Sequence, residues 1–191
     1  MSDQLGLFGD MKPTDRLFFG IFPPKPVRER IVELGETLKA REGLRGKVHP
    51  EDRVHVTLFH IGDYVDLPKG VVDKATAAAD ALRFAPFPTT FDRAESFSSQ
   101  PRNRPFTLRG GAGVETLIAM RQALALEMAK AGLGREAKTG FVPHVTLLYD
   151  DKAVDEVAVE PVNWTVDGFV LVHSHLGKTR HDHLRTWPLK A

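Results

Sequence analysis

Cysteine is absent from this 191-residue chain, which excludes disulfides, thiolate nucleophiles and cysteine-ligated zinc or iron–sulfur centres. Net charge is nearly absent too. At +1 near neutral pH, the protein has to meet any polyanion with a local patch, not with a general coat of positive charge. No stretch approaches the roughly 20 consecutive apolar residues of a membrane span, and the opening Met1–Asp10 carries acids where a signal peptide needs an apolar run. A cytoplasmic protein without membrane association is expected.

What is present describes a folded chain. Its 42% hydrophobic and 27% charged content leaves no room for a long disordered region. Residues 1–14, polar and glycine-containing, predict a flexible leader, and residues 15–191 a single domain. Arg16 to Phe22 is an apolar run stopped by Pro23 and Pro24, as in a buried strand. Val27, Ile31, Leu34 and Leu38 recur at helical spacing, and Val71 to Leu82 gives a weaker, alanine-rich helix. Two strands are expected around Thr89 to Glu95 and Phe106 to Arg109. The clearest helix runs from Val114 to Ala131, with Val114, Leu117, Met120, Leu124 and Met128 on one stripe and Gly132 as its stop. Trp164 to Ser174 and Leu184 to Leu189 read as strands joined by a polar, histidine-rich turn. This order of strands and helices argues for an α+β fold.

One motif is spelled twice. His55-Val56-Thr57-Leu58 and His144-Val145-Thr146-Leu147 stand about half a chain apart, each in an apolar strand context, which suggests two similar halves. In a strand, alternate side chains share a face, so each copy sets an imidazole and a hydroxyl opposite two core-directed apolar residues. Two such units across a cleft supply an acid, a base and two hydroxyl donors for a phosphate between them. Displacement at phosphorus needs that set and no metal or nucleotide cofactor. The bland alternative is two core strands left by an old duplication, with satisfied histidines.

With their flanks, His49 to Asp63 and Gly140 to Asp150, these motifs resemble the 2H phosphoesterases, and within them the RNA 2',3'-cyclic phosphodiesterase / 2'-5' RNA ligase family. Arg16 to Pro24 and the tail from Trp164 resemble its outer strands. The resemblance implies two pseudo-symmetric lobes with antiparallel sheets forming a V-shaped cleft, with helices outside. It implies His55 as proton donor, His144 as proton acceptor, and Thr57 and Thr146 as phosphate-binding residues, in the opening of a 2',3'-cyclic phosphate on RNA or a nucleotide to a 2'-phosphomonoester. It also implies a 2'-5' RNA ligase activity. Two positions depart from the family pattern. His60-Ile61-Gly62 replaces a common Phe-Leu-Gly, and Leu148-Tyr149 stands where many members have a basic residue. Strand parity predicts that His60 and Tyr149 face away from the motif histidines unless the strand bends, in which case Tyr149 offers stacking or a hydroxyl contact.

Other features keep further readings open. Arg102 and Arg104, in a polar loop, are candidate RNA contacts. His173, His175, His181 and His183 could hold zinc in a metal-dependent hydrolase. A non-catalytic RNA-end binding module is the other alternative. Gln4-Leu5-Gly6-Leu7-Phe8 resembles a short motif for docking on a replication sliding clamp. The protein is expected to be a monomer.

Overall fold

The computed structural model of the protein describes residues 12–97, 101–134 and 140–190. The pentad Gln4 to Phe8, and with it the expected clamp contact, lies outside the described residues, as does most of the expected leader. Strand β1 (Asp15–Ile21) and helix α1 (Lys25–Glu42) are separated by the proline pair, and Gly43 closes the helix at a φ of 63°, its N–H donating to the Ala40 carbonyl. There follow β2 (Val56–Tyr64), α2 (Lys69–Ala81), β3 (Phe87–Ser96), β4 (Arg104–Arg109), α3 (Glu115–Lys130) and β5 (His144–Asp150). The chain ends in β6 (Val157–Val166), β7 (Gly168–His175) and β8 (Arg180–Pro188). Helix α3 buries Leu117, Met120, Leu124 and Met128, the stripe expected from the sequence. Each such burial is worth about 2 kcal/mol, and packing of this kind, more than intrinsic propensity, holds a helix of this length.

The tail differs from its expectation in two ways. The single strand expected from Trp164 to Ser174 is the end of β6 and most of β7, separated at Asp167, and β6 begins earlier, at Val157. Pro161 and interspersed polar residues hide this strand in the sequence. It tolerates them because it lies at the sheet edge. The four tail histidines lie in β7 and β8 themselves, and the turn between these strands is residues 176–179.

All eight strands form one antiparallel sheet in the order β6-β3-β4-β5-β2-β1-β7-β8. At its centre β2 and β5 share a single register pair, Val56 with Val145, whereas β1 and β2 are paired at seven positions. The sheet is therefore two four-stranded lobes hinged on one rung, and β1-α1-β2 in one lobe corresponds to β4-α3-β5 in the other. The three helices bury their apolar stripes in a common core with Leu17, Phe19 and Ile21 of β1. Phe18 points the other way and joins Val170, Val172 and Phe22 in a small separate cluster. That second face is where the cleft lies.

Candidate functional site

The two motif strands break their alternation at the same place. Along β1, Phe18 pairs with His60, Phe19 with Phe59 and Gly20 with Thr57, so Leu58 is an extra residue on β2. Along β4, Phe106 pairs with Leu148 and Thr107 with Thr146, so Leu147 is the extra residue on β5. A bulge of this kind shifts the side-chain phase by one. Leu58 and Phe59 are both buried, as are Leu147 and Leu148. His60 and Tyr149 consequently return to the cleft face, which corrects the parity expectation for both. The signal was legible as two adjacent large apolar residues where strict alternation allows one.

Antiparallel pairing of Val56 with Val145 sets the residue before one valine across from the residue after the other. His55 therefore lies across the seam from Thr146, and His144 from Thr57. All four line one cleft of about 390 Å³, together with His60 and Tyr149. Each histidine is oriented by its own chain. His55 Nδ1 lies 2.7 Å from the Arg53 carbonyl and His144 Nδ1 2.8 Å from the Val142 carbonyl. A carbonyl only accepts, so both Nδ1 atoms carry hydrogen and Nε2 is left to exchange protons. Aromatic rings flank both imidazoles, Phe18 and Phe22 beside His55 and Phe97 beside His144, with centroids between 4.8 and 5.4 Å apart.

The cleft contains a local positive patch of the kind a near-neutral chain would need to meet a polyanion. Arg16 and Arg53 supply its charge; His49 and His181, both lowered from the ordinary imidazole pKa, also line it, and no carboxylate is among its described lining residues. Arg16 is held by a two-point pair with Asp63 at 2.7 Å. Arg53 is different: its Nε and Nη1 are buried without a hydrogen-bond partner among the described residues. Two buried nitrogens without partners on a half-buried guanidinium are costly unless an anion meets them. Sequence reading missed Arg53, although a basic residue two positions before a motif histidine is a visible signal.

Burial, helped by Arg53, His144 and His49, pushes His55 down from its ordinary 6.5 to about 4. Burial, then Arg53 and His55, take His181 to about 3. His144 is lowered by burial and by Arg109. The folded state thus binds fewer protons than the unfolded chain once pH falls below 6.5, so the stability these histidines contribute is present above that pH and is lost on descent towards 4. Denaturant midpoints taken from pH 7 to pH 4 are expected to fall across that interval. A flat profile would contradict the buried, neutral imidazoles.

Other expected residues sit elsewhere. Arg102 is exposed in the turn before β4, and Arg104 donates to the Asp151 carbonyl; neither lines the cleft. The four tail histidines do not converge on one ion. Register puts His181 opposite Ser174 and His183 opposite Val172, at cleft-face positions, whereas His173 lies opposite Leu17 and His175 opposite Asp15, at the alternate positions; His175, at the strand end, also reaches the cleft lining. This division corrects the reading of the four as one zinc cluster.

A family profile described as the 2'-5' RNA ligase superfamily matches residues 23–178. Among solved structures, E. coli LigT in its apo form is 27% identical, the match covering 95% of this chain and 100% of that one with a TM-score of 0.71. TT0787 of Thermus thermophilus is 25% identical over 92% of this chain and 98% of its own, with a TM-score of 0.75. E. coli LigT complexed with 3'-AMP is 26% identical over 93% and 99% of the two chains, with a TM-score of 0.67. No curated protein matches the sequence.

Proposed function

Because the chain belongs to the 2'-5' RNA ligase superfamily of 2H phosphoesterases, we propose that it hydrolyses 2',3'-cyclic phosphate at RNA or nucleotide termini to a 2'-phosphomonoester, without a metal in the reaction. The observation that carries this reading is the two-fold arrangement of His55 and Thr57 against His144 and Thr146 around one rung of sheet, with both Nδ1 atoms tied to carbonyls. That E. coli LigT is solved with 3'-AMP is consistent with a nucleotide ligand here.

In this mechanism His144 Nε2 takes a proton from water as its oxygen attacks phosphorus. The bond from phosphorus to the ribose 3'-oxygen breaks, and His55 Nε2 delivers a proton to that oxygen. Thr57 and Thr146 hydroxyls and the Arg53 guanidinium stabilise the charge that grows on the other phosphoryl oxygens. In the free protein His55 is neutral near pH 7 because its pKa is about 4; the anionic substrate favours the imidazolium and so loads the acid as it binds. With a 5'-hydroxyl in place of water, the same displacement would join that oxygen to phosphorus through a 2'-5' linkage, the 3'-oxygen again leaving and taking its proton from His55.

Turnover of a panel of 2',3'-cyclic phosphates in strong chelator is expected to give 2'-phosphomonoesters. A 3'-phosphate product would reverse the assignment of the leaving oxygen, loss of turnover on chelation would favour the metal-dependent alternative, and binding without turnover would favour the RNA-end module. The bell-shaped profile of kcat/KM is expected to centre below pH 6.5, since both histidines are lowered from that value. Tyr149, 43% exposed in the cleft, is placed to stack on a base. Tyr149→Ala is expected to raise KM about tenfold with kcat retained, the cost of one lost stacking contact; an unchanged KM would remove it from the binding surface.

A further inference from the structure

On the face of the sheet opposite Phe18, where β1 begins and β7 ends, Asp15 and His175 are direct cross-strand partners and His173 lies one alternate position away. Asp15 Oδ1 is 2.5 Å from His173 Nε2 and 3.9 Å from His175 Nδ1, and the two imidazole centroids are 4.1 Å apart. We propose that Asp15, His173 and His175 form a binding site for a divalent transition metal of the zinc class, acting as a clamp on the cleft rim and taking no part in the phosphoester reaction.

Three features point to an ion. The donor atoms lie within 4.8 Å of one another. Tetrahedral ligands at zinc bond lengths are about 3.3 Å apart, so side-chain adjustments of under about 1 Å complete the geometry. The donors are also pre-set by their own partners. His175 Nε2 donates to Asp182 Oδ2 at 2.8 Å, which leaves the Nδ1 lone pair for a ligand bond, the carboxylate–histidine arrangement that orients metal-bound imidazoles. Asp182 is steadied by Arg180 at 2.7 Å, and Thr14 occupies Asp15 Oδ2 so that Oδ1 is the oxygen turned to the histidines. Finally, the set is withdrawn from water, with Asp15 8% exposed. Two imidazoles and one carboxylate suit zinc and not magnesium or calcium.

An ion here would join the start of β1 to the hairpin of β7 and β8. His175 itself and Leu176, Gly177 and Thr179 of the hairpin turn line the cleft, so the clamp would fix one rim of the site.

Cobalt(II) titration of the untagged, chelator-treated protein is the test, because tetrahedral cobalt with nitrogen and oxygen ligands absorbs in the visible. A saturable band at one equivalent, displaced by zinc and accompanied by a higher Tm, is expected. His175→Gln, checked for folding by circular dichroism, is expected to lose the band and the Tm rise, and His183→Gln to keep both. No band in the unaltered protein, or a band lost in His183→Gln and kept in His175→Gln, would overturn the site. Neither readout involves turnover, so failure here is separable from failure of the phosphodiesterase reading.

Discussion

His55→Ala and His144→Ala are each expected to reduce turnover by about a thousand-fold, the middle of the range for losing one general acid or base, while leaving the fold nearly intact. The second half of that expectation follows from where the rings sit. Among the described residues, each imidazole bonds to a carbonyl two residues back in its own strand entry and touches aromatic rings on the cleft side. Neither enters the main core, whose valine partners Val56 and Val145 are fully buried and untouched by the change. Combining both substitutions is expected to cost far less than the product of the two, because one proton transfer without the other is already uncoupled. Steady-state rates of the two single variants and the double variant decide the matter. Near-normal turnover in either single variant would remove that histidine from the reaction.

Arg53→Met is expected to move three observables together. Losing a charge-assisted contact to an anionic phosphoryl oxygen is worth about 2 to 3 kcal/mol, so KM for a cyclic phosphate should rise by roughly a hundred-fold. Stability should hold or increase, because two buried, unpartnered guanidinium nitrogens of a half-buried arginine are exchanged for an apolar side chain of similar length. The pH limb belonging to His55 should shift upward, since Arg53 is one of the charges that lowers it. The Arg53 carbonyl, which orients the His55 ring, belongs to the main chain and survives the substitution. A purely structural arginine would give the opposite stability result, with KM and the pH limb unmoved.

Sequence and structure part company where alternation fails. Period-two spacing correctly sets His55 with Thr57 and His144 with Thr146, because those pairs precede the bulges. It misplaces His60 and Tyr149, because each lies just beyond an inserted leucine that resets the phase. The helices were legible because their stripes are long: Leu117 to Met128 spans three turns, and four buried residues agree. Strand β6 was not, since an edge strand needs fewer apolar residues and admits Pro161. Arg53, His49 and His181 come to the cleft from a strand entry, a loop and a distant hairpin, a convergence that no local spacing encodes. The histidine-rich tail was visible as composition, whereas its division between two faces depends on the register of β7 with β8.

The single rung between Val56 and Val145 also loosens the chemical coupling of the lobes. Since they share so little backbone pairing, a substitution in one motif strand is not transmitted through a continuous ladder to its counterpart, and the two similar halves are free to differ chemically. The slots three residues beyond each motif threonine differ: one holds the imidazole of His60, hydrogen-bonded to Asp63, and the other the phenol of Tyr149. The motif histidines stay matched while their surroundings differ. A two-lobed scaffold of this kind can therefore change the walls of its cleft by editing one half, with the paired motifs held at the seam.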